Sequence, residues 1–459
     1  MFRPLPRHAL AAVMLSLFAA SLHAADELRG ERFLDNGVIR LGVDLDRGGV
    51  ISYLSLSGRD ENVVNNYDLG RQIQMSFYSG PIPFTVGEKK PQPHWAHIGW
   101  NPIQTGDDYR HGSKILDFKL DPAKHELYVR CIPMQWPLDS EPAECEFESW
   151  LRLEGATVEA RARMVNRRGD KTQYAARYQE LPAVYVNGPY YRHFTYSGSR
   201  PFTGGELTLF DTTKGRGFPW KHTTATENWC ALVNDDDFGL GVYHPGCYEF
   251  SGGFAGKTGS GGTKDAPTGY IAPVQIEVID HNIDYEYRYT LILGMLPAIR
   301  DYVVAQHRKS AQAAKPRVPD YRFLRDRQHW RFANCRDSGW PIRGGLNVTC
   351  DAPDPHLTGP RDFWLAEDAP KIYVTAAYSN GAAHKARLYW HRFGEAGFAE
   401  KNLIDFQVSG DDQFRTYEVD LAKHANYRGP IIGLRFDPVE GDSGSANSVR
   451  IKSISGYAR

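Results

Sequence analysis

Residues 173–195 read QYAARYQELPAVYVNGPYYRHFT and have the two-residue alternation of a β-strand. One face is predicted to carry Tyr174, Ala176, Tyr178 and Glu180. Arg177 and Gln179 fall on the other face, and Pro182 is predicted to end the hydrogen-bonded ladder. A carboxylate at the end of an aromatic face suits sugar binding, because aromatic rings stack on sugar C–H groups. The alternative is an ordinary ion pair between Glu180 and an arginine at the strand end.

Similar alternation fills most of the chain before residue 296. Residues 36–58, NGVIRLGVDLDRGGVISYLSLSG, predict a β-hairpin that turns at Gly48 and Gly49. Further strand patterns follow one another with short turns and no helical pattern between them. This favours antiparallel sheets, and about 270 residues of such strands predict a large sandwich.

A helical pattern interrupts the strands at residues 297–314, PAIRDYVVAQHRKSAQAA. Pro297 suits the first turn, and Ile299, Tyr302 and Val303 share a face. Residues 315–319 then predict a linker, and the chain is again rich in strand patterns to its end. The predicted fold is all-β: a large antiparallel sandwich (26–300), a helix and linker (301–320) and a smaller sandwich (321–459).

The first 25 residues have the pattern of a secretory signal peptide. A basic start, MFRPLPRH, precedes the apolar run ALAAVMLSLFAASL and small residues at Ala24 and Ala25. We therefore expect a periplasmic or secreted protein with no membrane span after cleavage. Of 54 Lys and Arg, removal of Arg3 and Arg7 leaves 52 against 55 Asp and Glu, a net charge near −3. That balance argues against a nucleic-acid partner.

Six cysteines follow the signal peptide, and an exported chain favours disulfides over metal ligands. Fifteen connectivities are possible. We expect three local pairs, each joining two arms of a strand–turn–strand unit: Cys131 with Cys145, Cys230 with Cys247, and Cys335 with Cys350.

The first sandwich resembles the galactose-mutarotase-like supersandwich of bacterial carbohydrate-active proteins. The similarity lies in the hairpin of residues 36–58, the Asn-, Asp- and Arg-rich stretch ENVVNNYDLGRQIQMSFYSGP (61–81), and the long run of antiparallel strands. Residues 427–458, YRGPIIGLRFDPVEGDSGSANSVRIKSISGYA, resemble the last strands of a jelly-roll carbohydrate-binding module. The resemblance implies a sugar-handling fold.

Catalytic candidates follow from the chemistry of glycosidic bonds, whose hydrolysis needs two carboxyl groups. Glu180 and Glu227 rank first, and Asp280 is third. His244, in the GVYHP turn, is a further acid–base candidate, since mutarotases by resemblance use histidine and glutamate. Each of these residues has an ordinary structural alternative, as a solvated strand-end acid or a turn histidine.

Substrate-binding candidates surround these acids. The NNYDLGRQ stretch offers Asn66, Tyr67 and Arg71, and Arg71 can form a two-pronged pair with a uronate. The alternative for this stretch is a loop that satisfies its own backbone. The other candidates are Trp100, Arg177, Tyr178, Trp229 and Tyr243.

No cofactor is predicted, and the histidine spacing does not favour a catalytic metal. Resemblance to carbohydrate-binding modules allows a structural calcium at Asp437 and Asp442. The expected function is that of a secreted enzyme that cleaves a poly- or oligosaccharide, its partner being a glycan. Hydrolysis is preferred because the leading candidates are carboxylates. The alternatives are a polysaccharide lyase, with a histidine or tyrosine base, a non-catalytic glycan-binding envelope protein, and an epimerase of free sugars.

Overall fold

The computed structural model describes residues 28–212, 218–310, 315–350, 352–379, 384–440 and 447–458. The predicted signal peptide and Asp442 lie outside these ranges. The described residues form antiparallel β-sheets with one α-helix, which confirms the all-β prediction. None of the helices in the described ranges is both long and apolar enough to cross a bilayer.

Nineteen of the described strands precede the helix. They are β1 (Glu31–Asp35), β2 (Ile39–Asp44), β3 (Val50–Leu56), β4 (Ile73–Ser76), β5 (Pro102–Ile103), β6 (Lys114–Asp121), β7 (Glu126–Ile132), β8 (Met134–Gln135), β9 (Cys145–Glu154), β10 (Thr157–Asn166), β11 (Arg177–Asn187), β12 (Arg192–Thr195), β13 (Thr208–Phe210), β14 (Lys221–Thr224), β15 (Trp229–Val233), β16 (Phe238–Tyr243), β17 (Glu249–Ala255), β18 (Thr268–Glu277) and β19 (Asp284–Met295). The predicted hairpin is confirmed as β2 and β3, joined through a 3-10 turn (Leu45–Arg47) and the left-handed Gly48 and Gly49.

These strands form two large sheets. Sheet 1 has the order β1-β2-β3-β4-β11-β18-β17-β14, and β5 and β8 extend it from β4. Sheet 2 has the order β13-β12-β15-β16-β19-β10-β9-β7-β6. Alternation sets the faces: in β10, Val158, Ala160, Ala162 and Met164 are buried in the core while the arginines between them point outward.

The α-helix, α1 (Leu296–Lys309), begins directly after β19. Its predicted apolar face is confirmed, because Leu296, Ile299 and Val303 pack in one apolar cluster with Trp229 on sheet 2. The helix is therefore part of the first sandwich's packing.

The remaining described strands build a second sandwich with its own core. They are β20 (Asp320–Arg322), β21 (Arg331–Ala333), β22 (Arg336–Asp337), β23 (Leu346–Cys350), β24 (His356–Thr358), β25 (Trp364–Leu365), β26 (Lys371–Tyr378), β27 (His384–Arg392), β28 (Leu403–Val408), β29 (Arg415–Asp420), β30 (Pro430–Asp437) and β31 (Asn447–Ser455), with short 3-10 turns at Ala366–Asp368 and Leu421–Lys423. One sheet has the order β22-β23-β31-β26-β29, with β20 beside β31. The other has the order β21-β24-β30-β27-β28, with β25 beside β30.

Polar and apolar contacts join the two sandwiches. Arg327 of the second sandwich is 1% exposed and pairs with Asp280 of the first at 2.6 Å and with Asp337 at 2.7 Å. Beside it, Gln173 donates a 2.7 Å hydrogen bond to Asp337. His329 reaches the Glu277 carboxylate at 2.9 Å. The second sandwich is thus held against the end of the first sandwich at which β18 leads into β19.

Candidate functional site

Strand β11 crosses sheet 1 between β4 and β18 and differs from the sequence prediction at both ends. It begins at Arg177, so Tyr174 and Ala176 precede the ladder. Pro182 does not end the strand either, because pairing resumes at Val184 after an irregularity. Five residues of β11, from Glu180 to Val184, oppose four of β18, from Ile271 to Val274, which is a β-bulge.

The bulge reverses the alternation of β11. Before it, Tyr178 and Glu180 face away from the core. After it, Val184 joins the core and Tyr185, paired with Tyr270, faces outward. An extra residue therefore brings side chains of opposite parity onto one face. We call this outer surface of sheet 1 the Glu180 face; its members are Ser76, Tyr78, Tyr178, Glu180, Tyr185, Trp220, His222, Glu249 and Tyr270.

Glu180 lies near the middle of this face in a tyrosine-lined setting. Tyr78 donates a 3.1 Å hydrogen bond to its Oε2. Burial raises the pKa of Glu180 above its ordinary value of 4.5, and the hydroxyls of Tyr270, Tyr78 and Ser76 offset only part of that rise. The pKa of Glu180 is therefore higher than that of a solvent-exposed glutamate.

Aromatic rings form the floor beside Glu180. Trp220 stacks on Tyr270 with ring centroids 4.8 Å apart and an angle of 17° between the planes. Tyr185 lies 4.7 Å from Tyr270 on its other flank. Tyr270 itself is fully buried, so the half-buried rings of Trp220 and Tyr185 are the ones that suit the apolar face of a sugar.

Glu249, at the start of β17, is a second carboxyl group on this face. Tyr178 donates to its Oε1 at 3.1 Å, and His222 Nδ1 lies 3.1 Å from the same oxygen. Burial tends to raise the pKa of Glu249, but the hydrogen bond from His222 and the charge of Arg361 outweigh it, so that the pKa is lowered. The surroundings of Glu249 therefore favour its ionised form, whereas those of Glu180 favour its protonated form.

Strand register fixes the separation of the two acids. Glu180 pairs with Val274 of β18, and Phe250 pairs with Pro273, which places Glu249 beside Val274 on the other side. The two Cα atoms are thus two strand spacings, about 10 Å, apart. Tyr178 reaches across β18 to Glu249, which shows that both acids occupy one face.

Of the predicted binding residues, Tyr178 and Arg177 adjoin this site. The Arg177 side chain reaches the His97 carbonyl at 3.5 Å, and its Nη1 is buried with no hydrogen-bond partner in the described ranges. Burial lowers the pKa of Arg177.

The other polar candidates are engaged with one another and with neighbouring backbone. Arg71 pairs with Asp68 at 3.2 Å and donates to the Ala266 carbonyl at 2.6 Å. The Asn66 amide donates to the Ser52 carbonyl at 2.8 Å, and Tyr67 lies under the Arg71 guanidinium. Asn66 and Arg71 thus have protein partners, of which Asp68 belongs to the same loop, and the structural role describes them better than substrate recognition does.

Glu227 is not positioned for catalysis. Its side chain is fully buried and accepts from Arg300 Nη2 at 2.9 Å, Arg300 Nε at 3.1 Å, the Phe202 backbone N–H at 2.8 Å and Trp229 Nε1 at 3.2 Å. Both oxygens are satisfied by groups that join α1 to sheet 2. Trp229 is itself fully buried, so it is a core residue and not a sugar platform.

Asp280, Trp100 and Tyr243 are also removed from the Glu180 face. Asp280 is the interface partner of Arg327 described above. Trp100 is fully buried in the core of the first sandwich. Tyr243 lines a groove of about 1160 Å³ beside α1, on the other sheet. In that groove the Arg161 guanidinium covers the Trp150 ring at 3.5 Å, so the ring is already stacked.

His244 lies in a different cavity, at the junction of the two sandwiches. It is 5% exposed, its Nδ1 is 3.3 Å from the Pro245 carbonyl, and its Nε2 has no partner in the described part of the chain. Burial lowers its pKa to about 4. His244 therefore lies apart from both Glu180 and Glu227.

All six cysteines lie within the described ranges, and no disulfide joins any two of them. The structure thus shows none of the three expected disulfides. A hydrogen bond with Cys350 raises the pKa of Cys335, and burial raises it further. Cys247 instead donates toward the backbone carbonyls of Glu249 and Val274.

Within the described ranges, three or more metal-ligating side chains lie close enough together to hold a cation at one place. Asp107, His111 and Asp139 lie close together there, but Asp107 already accepts backbone hydrogen bonds from Tyr109, His111 and Ser140. At the predicted calcium position, Asp437 is buried against Arg435 at 2.7 Å. A structural calcium there stays a prediction, since Asp442 is outside the described residues.

Glu249, His222, Trp220, Tyr78 and Tyr270 were not singled out from the sequence. One available signal was the alternation of EFSGGFA in residues 249–255, which puts a glutamate and a serine on one face of a strand. Nothing local indicated that β17 lies two strands from β11.

No protein-family model matches the chain, and no curated protein matches it either. Solved structures to which it is similar include a galactose mutarotase related enzyme from Lactobacillus acidophilus (12% identity, TM-score 0.39, 57% of this chain and 97% of that one). Another is a putative aldose 1-epimerase from Escherichia coli K12 (12%, 0.38, 58% and 100%). A third is a GH36 α-galactosidase from Geobacillus stearothermophilus (9%, 0.34, 57% and 39%). At these identities and scores, no activity carries over to this chain, and the resemblance of the second sandwich to a carbohydrate-binding module stays a prediction.

Proposed function

We propose that this protein is a carbohydrate-active enzyme that hydrolyses a glycosidic bond on the Glu180 face, with Glu180 as general acid and Glu249 as general base. The observation that carries the proposal is the pair itself. Two carboxyl groups share one face, and their surroundings move their pKa values in opposite directions. Such a divided pair is what acid–base assignment at neutral pH requires.

The reaction needs one proton donated and one removed. Glu180 gives its proton to the glycosidic oxygen as the bond to the anomeric carbon breaks, and Glu249 takes a proton from the attacking water. Both hydrogen bonds to Glu249 end at Oε1, which leaves Oε2 for that water. The products are a free alcohol and a new reducing end, and the two carboxyl groups then exchange protons with solvent.

The spacing favours a single displacement. Inverting glycosidases hold their carboxyl groups about 6.5–9.5 Å apart, and retaining enzymes about 5–5.5 Å apart. Two strand spacings, about 10 Å between Cα atoms, leave room for water between Glu180 and Glu249. We therefore propose inversion at the anomeric carbon.

Lyase chemistry by a tyrosine base is less suited to this face. Burial raises the pKa of Tyr78 and of Tyr270 well above 10, with the charge of Glu180 acting in the same direction. A tyrosine so disposed is a poor base near neutral pH. The signal-peptide pattern supports action in the periplasm or outside the cell.

The test combines a glycan panel with single variants. Neutral, uronate-containing and envelope glycans are incubated with the protein, and reducing ends are followed together with the absorbance of unsaturated uronates. Glu180→Gln and Glu249→Gln should each lower kcat by about 10²–10⁴-fold. Glu154→Gln, at the solvent-exposed end of β9, is the matched control. Unsaturated uronates would establish a lyase, and glycan binding without turnover would establish a binding protein.

A further inference from the structure

Two arginines of the second sandwich stand at the Glu249 end of the Glu180 face. Arg331 begins β21, and Arg361 follows β24. Together with Glu249, both line a small cavity where sheet 1 meets the second sandwich. Both side chains are half-buried, so they lie at the edge of the site.

These arginines differ from the others at the domain junction. Arg317 pairs with Asp362 at 2.6 Å, and Arg327 pairs with two aspartates. The side chains of Arg331 and Arg361, in contrast, make no hydrogen bond or ion pair within the described ranges. Partly dehydrated guanidinium groups usually have such partners, because an unpaired buried charge is costly.

The positive charges of Arg331 and Arg361 repel each other, and both are attracted to the same nearby carboxylate, Glu249. Burial lowers the pKa of Arg331, and the charge of Arg361 acts in the same direction. Glu249 is the acid whose charge they share, and it is also engaged by His222 and Tyr178. A second anion would relieve the repulsion, and guanidinium groups bind carboxylate, sulfate and phosphate in two-pronged fashion.

Buried polar atoms without hydrogen-bond partners also line the neighbouring cavity. It measures about 240 Å³ and is lined by Arg361, His244 and Tyr287, among others. His244 Nε2 and the Tyr287 hydroxyl are both buried without a hydrogen-bond partner in the described part of the chain. Since the Pro245 carbonyl engages Nδ1, Nε2 is free to accept a hydrogen bond from a hydroxyl group. Arg361 thus stands between a catalytic carboxylate and a cavity able to bind sugar hydroxyls.

We infer that the substrate is an acidic glycan and that Arg331 and Arg361 bind the anionic substituent of a sugar next to the cleaved bond. This inference rests on the proposed function for the position of the bond. The shared chemistry is an anionic group on a sugar ring, supplied by a uronate carboxylate or by a sulfate or phosphate ester. Arg71, which the sequence analysis gives as able to pair with a uronate, is already paired with Asp68.

The binding test uses Glu180→Gln, so that turnover does not remove the ligand. Affinities are measured by calorimetry for oligosaccharides matched in backbone, each in neutral, C6-oxidised, 6-sulfated and 6-phosphorylated form, on β-1,4-glucan and α-1,4-galactan chains. We expect at least one acidic form to bind ten-fold or more tightly than its neutral counterpart, and added salt to weaken that preference. The form that binds best identifies the source of the charge.

Arginine variants then locate the binding. Arg331→Ala and Arg361→Ala, each in the Glu180→Gln background, should each remove most of the acidic preference and leave neutral affinity unchanged. Arg331→Lys and Arg361→Lys should retain part of it, since the charge remains, and these variants keep the test valid if an alanine variant unfolds. Arg343→Ala, an exposed arginine of the same sandwich, should change nothing.

Equal affinity for acidic and neutral forms, no binding of any acidic form, or an acidic preference that survives both alanine variants would overturn the inference. Turnover by the unmodified protein is measured in parallel. Absence of turnover with arginine-dependent acidic binding would count against the hydrolase alone, and turnover without acidic preference would count against the arginine site alone.

Discussion

Replacing Glu227 by Gln should lower the free energy of unfolding of the protein. The molecules that remain folded should keep their catalytic activity. The carboxylate is fully buried, and Arg300, whose side chain is 15% exposed, makes two hydrogen bonds to it. The substitution leaves that guanidinium without its counter-charge. Breaking a buried pair from one side costs about 3–5 kcal/mol.

Thermal and urea unfolding measure this loss. At roughly 2 °C per kcal/mol for a large domain, the fall in Tm should be about 6–10 °C. Glu154→Gln is the matched control, because its pair with Arg152 is solvent-exposed and should be worth about 1 kcal/mol or less. A double variant with Arg300→Met should lose less than the sum of the single variants, since neither charge is then left alone.

Two results would refute the reasoning. A Glu227→Gln protein as stable as the control would show that the buried pair contributes nothing. A stable variant with turnover per folded molecule reduced about 10²-fold or more would return Glu227 to the catalytic role suggested by its sequence context.

Three further predictions follow from the same contacts. Hydrolysis should have a bell-shaped pH profile, because the active form has Glu180 protonated, with its pKa raised above 4.5, and Glu249 ionised, with its pKa lowered. Glu180→Gln should abolish the alkaline limb of that profile in kinetic assays. An unchanged limb would contradict the assignment of Glu180 as the acid. The wild-type protein should lose on the order of 3 kcal/mol of unfolding free energy between pH 6.5 and about 4, because His244 binds a proton there in the unfolded chain but not in its buried native position. His244→Phe should remove this loss in urea titrations. Identical pH slopes for the two proteins would disprove the prediction. Arg327→Met should lower Tm by leaving two buried aspartates unpaired, and wild-type thermal stability would show that this junction is dispensable.

Much of the fold was predictable because it depends on local pattern. The alternation of β10 and the glycine turn between β2 and β3 required only neighbouring residues. The buried face of α1 followed from helical spacing in the same way. Strand ends were less predictable, since the ladder past Pro182 depends on β18, which contributes its own hydrogen bonds on the far side of the bulge.

The site was predicted only in part. The sequence indicates Glu180 and Tyr178 because they form a carboxylate beside an aromatic ring on one strand. The structure places both residues on the Glu180 face. Glu227 and His244 had similar local signals and lie elsewhere, because a motif does not reveal whether an arginine from α1 or a second sandwich will cover it.

The sequence by itself determined antiparallel strands, one amphipathic helix and an aromatic setting for Glu180, because each follows from residues within a few positions of one another. Tertiary structure alone decided that Glu249 is its companion. Tyr178 and Glu249 are 71 residues apart in the chain and meet because β11 and β17 both pair with β18. The same packing divided the two acids, since burial raises the pKa of Glu180 while His222 and Arg361, from distant segments, lower that of Glu249 against the effect of its own burial.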